Sequence, residues 1–372
     1  MSPSATTTNL LGLPRPTLEA FVAQLGSKPF RARQLMQWVY KRGEPSFERM
    51  TDLAKAFRAR LSECASVQPP EIIATRHSAD GTRKWLLRAD GSQAFETVYI
   101  PEPDRATLCI SSQVGCALDC AFCSTAQQGF NRNLTTAEIV GQVWLANREL
   151  AGTVGDLARE RAVTNVVLMG MGEPLANFRN VVPALDILLD DFGFDLSRRR
   201  VTLSTSGLVP QIYKLASRSN VALAVSLHAP DDELRNELVP INRRHPIAEL
   251  LEACWHYIDE RNGRSVTFEY VLLDGVNDSR AQARALAKLL AGQPAKVNLI
   301  PFNPFPGTRF RRSPPQAVQQ FRDELIRRGV LATVRRTRGD DIDAACGQLA
   351  GRVLDRTTVR LGSRTFGLAV QA

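Results

Sequence analysis

The 372-residue chain has little that ties it to a membrane or an oxidising compartment. No stretch approaches 18 consecutive apolar residues, so no segment is expected to cross a bilayer as a helix. Met1-Ser2-Pro3-Ser4-Ala5-Thr6 lacks a basic start followed by an apolar run, and no secretory signal is expected. Histidine is scarce, with four in all and none between Cys116 and His228. That gap removes the usual fourth ligand of a structural zinc site beside the densest cysteine cluster. The seven cysteines are odd in number and three of them are clustered, which fits a reducing cytosol better than a disulfide scaffold. The expectation is a cytoplasmic protein without membrane contact.

Hydrophobic content of 44% and charged content of 23% describe a globular chain, long enough for one large α/β core and a smaller domain. Lys+Arg 47 against Asp+Glu 38 leaves a formal +9, which favours a polyanionic partner. Ordinary solubility charge in an Arg-rich composition is the alternative.

The densest chemistry lies in Cys109-Ile110-Ser111-Ser112-Gln113-Val114-Gly115-Cys116-Ala117-Leu118-Asp119-Cys120-Ala121-Phe122-Cys123. Cys116, Cys120 and Cys123 form a C-x3-C-x2-C triplet with no fourth partner nearby. A cubane iron–sulfur cluster held by three thiolates leaves one iron free to chelate a small molecule. A zinc knuckle or three unrelated buried thiols are the bland alternatives. The spacing resembles that of the radical S-adenosylmethionine enzymes, in which the open iron takes the amino and carboxylate groups of the methionine moiety. The flanking run Phe122-Cys123-Ser124-Thr125-Ala126-Gln127-Gln128-Gly129-Phe130-Asn131-Arg132-Asn133-Leu134 narrows the likeness. With it, nearly the whole chain resembles the RlmN family of dual-specificity RNA methyltransferases, radical enzymes that methylate carbon 2 of an adenosine.

Along the chain, residues 17–63 read as helices, punctuated by Pro29, Gly43 and Pro45: Thr17 caps the first, 30–40 is periodic, and Ser46 opens the third. Arg31, Arg33, Lys41, Arg42, Lys55, Arg58 and Arg60 crowd this region. They read either as a phosphate-facing surface or as a solvated helical face. Two strands follow, around Trp85-Leu86-Leu87 and from Phe95 to Ile100. From Pro101 onward short apolar runs alternate with helical ones. Strands are expected at 107–111, 163–169, 200–204, 222–227, 265–272, 296–300 and 331–335. Helices are expected from 136, around 183–189 and 212–217, and over 246–260, 279–290 and 315–328. Thr135 and Glu138 form a capping box. Such repeats imply a parallel sheet with right-handed crossovers. The expected architecture is an α/β partial (βα)6-type barrel with a small N-terminal helical accessory domain. Its parts are 1–70 (helical, RNA-binding), 71–101 (β-rich bridge), 102–350 (catalytic core) and 351–372 (C-terminal tail).

Unusual polar residues cluster just past strand ends, where α/β sites assemble. Gly170-Met171-Gly172-Glu173-Pro174 follows one strand; it lacks the third glycine of a dinucleotide fingerprint and offers a carboxylate to an ammonium group. The resemblance implies that Gly172, Glu173, Ser204, Ser226, Leu227, His228 and Asn303 contact S-adenosylmethionine, and that Cys116, Cys120 and Cys123 hold one 4Fe–4S cluster. His77, His245 and His256 have no comparable setting, Cys254 reads as helix core, and Cys64 has no catalytic context.

Carbon 2 of adenine has no lone pair for polar methyl transfer, so a radical route through a protein-borne methyl carrier is the workable chemistry, and a thiol is the natural carrier. Cys346 lies in a Gly-flanked region with Arg335, Arg336 and Arg338 nearby, where a thiolate carrier and an inert buried thiol are both open readings. The resemblance implies that Cys346 is methylated first and that Cys109 closes a disulfide on it to release product. It also implies that Glu96 assists deprotonation at carbon 2, with the division between Glu96 and Cys109 left open. It implies two S-adenosylmethionine molecules per turnover, 23S rRNA (adenosine 2503) and certain tRNAs (adenosine 37) as substrates, a low-potential electron donor such as flavodoxin, and a monomer. Methylation at carbon 8 of the same adenosine and a noncatalytic iron–sulfur RNA-binding module are the competing functions.

Overall fold

The computed structural model describes residues 7–151, 162–261 and 265–357. Residues 1–6 of the expected accessory domain and 358–372 of the expected tail lie outside the described residues.

The N-terminal part comprises β1 (Thr8–Asn9), α1 (Arg15–Gln24), α2 (Phe30–Met36), α3 (Lys55–Cys64) and β2 (Ala65–Ser66), with β1 and β2 paired in parallel. Three of its details differ from the sequence expectation. Thr17 does not cap α1, because Pro14 is the N-cap residue and Pro16, with its fixed φ, lies in the first turn. The helix expected over 30–40 passes at Gln37 into a π-helical turn that ends at Lys41. Ser46 opens only the 3-10 turn Phe47–Arg49, which stops at the non-helical Met50. This part shares one continuous apolar core with the rest of the chain, to which Leu18, Leu35, Met36 and Leu61 contribute.

The central sheet has ten strands in the order β14-β13-β12-β11-β10-β9-β6-β5-β4-β3. Antiparallel β3 (Ile72–His77), β4 (Arg83–Arg88) and β5 (Ala94–Glu102) add to one side, and β5 pairs antiparallel with β6 (Arg105–Cys109). The bridge strands are thus hydrogen-bonded into the same sheet as the core. The remaining strands run parallel to β6 and to each other: β9 (Asn165–Leu168), β10 (Val201–Thr205), β11 (Ala222–Ser226), β12 (Val266–Leu272), β13 (Ala295–Pro301) and β14 (Leu331–Val334). Six crossovers join these seven strands, and among the described residues β14 pairs on one side alone, which is the open edge of a partial barrel.

The crossover helices are α5 (Thr136–Leu150), α6 (Phe178–Leu189), α7 (Val209–Arg218), α8 (Asp232–Leu238), α9 (Ile247–Arg261), α10 (Arg280–Leu289) and α11 (Pro315–Arg327). The expected capping box at Thr135 and Glu138 opens α5, and a second, Ser279 with Gln282, opens α10. On α6 the fully buried Val181, Leu185 and Leu188 recur at helical spacing. Each contributes roughly 1.5–3 kcal/mol by leaving water, and the sum anchors the helix.

Between β6 and α5 the chain makes a feature the sequence did not announce. An antiparallel ribbon of β7 (Gln113–Gly115) and β8 (Phe130–Asn133) closes the neck of a loop that holds all three clustered cysteines and the short α4 (Ser124–Gln127). At the neck Gly115 has φ +81, and a Cβ there would meet the Gly129 carbonyl oxygen at 2.1 Å. Only glycine allows that approach. No helix among the described residues is long and apolar enough to cross a membrane.

Candidate active site

The C-terminal ends of the parallel strands and the cysteine loop enclose one cavity. Its wall includes Cys116, Cys120 and Cys123, then Gly172 and Glu173 after β9, Ser204 on β10, and Ser226 and His228 at the end of β11. Cys346, more than 200 residues downstream of the triplet, lines the same cavity. Residues far apart in sequence therefore converge as expected for strand-end loops. Leu227 is fully buried and does not line the cavity, its N–H donating to the Glu269 carbonyl at 3.0 Å. Asn303 is also absent from this wall; its amide donates to the Cys346 carbonyl at 3.4 Å and accepts from Thr337.

The donor set at the triplet fits an iron–sulfur cluster. Among the described residues no three Cys, His, Asp or Glu side chains are arranged around a single ion. A cubane does not require that, because each thiolate binds a different iron and the sulfurs stand correspondingly apart. Leu118, Leu238, Ile241, Phe302 and Phe310 form an apolar shell against which the three cysteines pack, and such a shell excludes water from a redox centre. Burial pushes the Cys116, Cys120 and Cys123 thiols up, Cys120 to about 12, so metal binding must displace protons there.

Glu173 is held as a strap between two strand ends. One carboxylate oxygen accepts from Leu175 N–H at 3.0 Å, the other from Ser206 N–H at 2.8 Å, while its own N–H donates to Gln113. Burial raises its pKa to about 7 against those hydrogen bonds, so the site rewards an incoming cation. Gly172 has φ +100, and a Cβ there would strike the Gln113 side chain at 2.5 Å. His228 adopts φ +61, accepts from Val271 N–H through Nδ1 at 3.0 Å, and rests edge-on against Phe122. Burial, reinforced by Arg235, lowers its pKa to about 3, so the ring is neutral and Nε2 carries the proton that can face a ligand.

The Cys346 loop is pinned at several points. Ser124 N–H donates to the Gly347 carbonyl at 2.8 Å and the Thr125 hydroxyl to the Leu349 carbonyl at 2.7 Å, both from the helix directly after Cys123. On the other side, Ala350 N–H donates to Glu96 Oε2 at 2.9 Å, and Lys84 Nζ donates to the Asp343 carbonyl at 2.8 Å. Lys84 and Glu96 form a buried ion pair at 3.2 Å. Glu96 does not line the cavity, and both its carboxylate oxygens are bonded.

Cys109 ends β6 and is buried. Burial pushes its thiol up to about 12, the neighbouring Cys346 adds to the rise, and Arg335 opposes it. Arg335 feels both sulfurs, Cys346 most strongly, and its own pKa rises as a result. All seven cysteines of the described chain are free thiols.

Lys84, Ser206 and Thr125 were not singled out by sequence reasoning. Lys84 stands between Arg83 and the apolar Trp85-Leu86-Leu87, where one cation among several on the strand carries no distinct signal, and a backbone amide at Ser206 carries none. The cationic residues of the helical part are mostly engaged already. Arg31 donates to Gln34 and to the Asp52 carbonyl, Arg33 faces Glu19, Lys41 pairs with Asp195, and Arg60 donates to the Leu25 carbonyl.

Residues 8–67 match the ribosomal RNA large subunit methyltransferase N-terminal domain, and residues 110–287 match the radical SAM superfamily. A radical SAM methyltransferase from Sphaerobacter thermophilus is 46% identical over 92% of this chain and 99% of its own, with TM-score 0.85. The chain belongs to the RlmN family of radical SAM methyltransferases. Membership implies a 4Fe–4S cluster and S-adenosylmethionine, which the cavity accommodates with the triplet at one end and Glu173 beside it. Weaker likenesses are SuiB of Streptococcus suis bound to S-adenosylmethionine (13% identity, 63% of this chain, 54% of that one, TM-score 0.44) and a domain of a pyruvate-formate lyase-activating enzyme from Bacteroides vulgatus (20%, 46%, 99%, TM-score 0.33).

Proposed function

We propose that this RlmN-family enzyme makes 2-methyladenosine at adenosine 2503 of 23S rRNA and adenosine 37 of certain tRNAs, carrying the methyl group on Cys346. The observation that supports this most is the position of Cys346. It lines the triplet cavity and lies close enough to Cys109 for each thiol to bear on the charge of Arg335.

Cys346, as thiolate beside Arg335, displaces the methyl group from the sulfonium of one S-adenosylmethionine. When bound, the cluster and a second S-adenosylmethionine supply a carbon radical that takes one hydrogen atom from the Cys346 S-methyl group. The activated carbon joins carbon 2 of adenine, and the ring is restored, still tethered to Cys346, when the carbon 2 proton leaves and one electron passes to an acceptor, a role the cluster in its oxidised state would supply when bound. Cys109 takes that proton after its own thiol proton has passed to solvent, with Arg335 opposing the burial that keeps it protonated, while both oxygens of Glu96 are engaged by Lys84 and Ala350. The Cys109 sulfur then attacks the Cys346 sulfur; the S–C bond breaks with its electron pair on the product carbon, and the proton completes the methyl group. A Cys109–Cys346 disulfide remains for an external reductant. Glu173 receives the ammonium of the cofactor and His228 offers it an N–H donor. A low-potential donor such as flavodoxin supplies electrons, and the protein works as a cytoplasmic monomer.

Anaerobic incubation with RNA, S-adenosylmethionine and a low-potential reductant, followed by digestion and mass spectrometry, tests the reading. Formation of 2-methyladenosine is expected. Formation of 8-methyladenosine instead would assign the sister activity, and no 5′-deoxyadenosine at all would favour a noncatalytic module.

A further inference from the structure

Many of the strand positions that line the barrel interior are not the bulky aliphatic residues that fill a closed barrel. Toward the N-terminal ends of the strands they are Thr107, Asn165, Thr202, Thr267, Asn298 and Thr333. These line a cavity of 980 Å³, bounded above by Met169, Glu269 and Arg335, which also border the cysteine cavity. Val167, Leu223 and Leu331 line it too, so the barrel interior is a groove of mixed lining that carries polar groups along its length and reaches Arg335, beside the cavity that Cys346 lines. Threonine and asparagine offer donors and acceptors to ribose hydroxyls and base edges.

Charge at the mouth is one-sided. Eight arginine and lysine side chains line the groove against two glutamates, Glu102 and Glu269. Arg105 is committed to Glu102, and Arg338 lies 3.8 Å from Asp80. Among the described residues Arg198, Arg199, Arg261 and Lys296 make no ion pair, and Arg261 Nε is buried with no hydrogen-bond partner. In the helical part Arg33 and Lys41 face carboxylates, and Arg31 and Arg60 donate to amide or carbonyl oxygens of neighbouring residues. Guanidinium forks without carboxylates match phosphate oxygens.

We infer that this groove is the RNA cleft: an unpaired strand enters at the N-terminal ends of the barrel strands, Arg198, Arg199, Arg261 and Lys296 hold its phosphates, and its adenine reaches Cys346 past Glu269 and Arg335. The inference rests on the RNA methyltransferase reading above. A paired helix hides its bases, so a base delivered up such a groove must come from a loop or an extruded nucleotide. β12 rises about 20 Å along the groove, so phosphates at the mouth belong to neighbours of the target nucleotide rather than to the target itself.

Binding of a fluorescent synthetic RNA stem-loop with an unpaired loop adenosine, to the full cluster-loaded protein without S-adenosylmethionine, tests this. The exposed residues are changed one at a time, as Arg198→Glu, Arg199→Glu and Lys296→Glu, with melting temperature and iron content as folding controls. Each is expected to weaken binding by about tenfold and to reduce the log–log salt slope by about 0.7 for each phosphate that is no longer neutralised. Arg31→Glu and Arg33→Glu are expected to change affinity by less than about twofold, and a blunt duplex of the same stem to bind more weakly than the stem-loop. Groove variants that bind like wild type, a reduction carried by the helical variants, or equal binding of the duplex would each overturn the assignment. No turnover is involved, so a wild-type protein that binds the stem-loop yet methylates no RNA refutes the proposed function and leaves the cleft standing.

Discussion

Ser124 and Gly347 are joined by a 2.8 Å backbone hydrogen bond, each the immediate successor of a cysteine the chemistry needs. Cys123 closes the triplet proposed to hold the cluster, and Cys346 is the proposed methyl carrier. One contact therefore sets where the carrier thiol stands relative to the cluster site. It also ties a loop near the C-terminus to one near residue 120 without involving either side chain in bonding.

The triplet has no spare ligand. Replacing Cys116, Cys120 or Cys123 by alanine is expected to abolish the intact 4Fe–4S cluster, since the cavity wall offers no other thiol but Cys346. Iron and sulfide analysis with electron paramagnetic resonance reads the effect. A normal cluster in all three variants would remove the assignment.

The two remaining thiols act in order, so their alanine variants should fail differently. Cys346→Ala is expected to acquire no protein-bound methyl group and to make no methylated RNA. Cys109→Ala is expected to be methylated on Cys346 and to accumulate an RNA adduct through that sulfur. Labelled cofactor, denaturing electrophoresis and peptide mass spectrometry separate these states. Multiple turnover by Cys346→Ala would end the carrier role.

Lys84 is expected to matter for stability and for the carrier loop together. Its ammonium joins Glu96 and the Asp343 carbonyl, with side chains 5% and 8% exposed for the ion pair. Lys84→Met leaves a buried carboxylate unpaired and should cost about 3 kcal/mol in urea unfolding, with the Lys84→Met/Glu96→Gln double variant recovering part of it. Equal stability of Lys84→Met and wild type would show that the pair is not holding the loop.

His228 makes a pH prediction with a definite sign. Its folded pKa of about 3 lies below the ordinary 6.5, so between these values the unfolded chain binds a proton that the folded one refuses. Its contribution to stability is complete above pH 6.5 and declines as pH falls toward 3. His228→Asn keeps an acceptor for Val271 N–H and tolerates the left-handed backbone, so its acid-side stability profile should be shallower than that of wild type. Identical slopes in denaturant titrations from about pH 7 to about pH 4 would contradict the assignment.

Much of the catalytic end was legible in the chain. Each of the seven parallel strands was expected close to where it lies, because the apolar residues that face the helices recur at strand spacing even where polar residues alternate with them. The resemblance named Gly172, Glu173, Ser204, Ser226 and His228, and the convergence of loops at the C-terminal ends of parallel strands is what brings them to one cavity, whereas Leu227 and Asn303, named with them, lie outside its wall. The helical part was less legible: proline at the start of α1 and the π-helical turn at Gln37–Lys41 depend on local backbone geometry that apolar periodicity does not record.

The residue types, their order along the chain and the cysteine spacing determined the fold class and the chemistry that one end of the barrel can host. Tertiary structure alone decided which partners those residues keep. Asn303 turns to the Cys346 carbonyl, Glu96 is taken by Lys84 and Ala350, Arg33 and Lys41 of the helical part face Glu19 and Asp195, and Arg198 and Arg199 at the barrel mouth make no ion pair among the described residues. The physical reason is that a hydrogen bond or ion pair depends on separation in space. Between Glu96 and Ala350 that separation is 2.9 Å across 254 residues of chain, a distance no local pattern encodes.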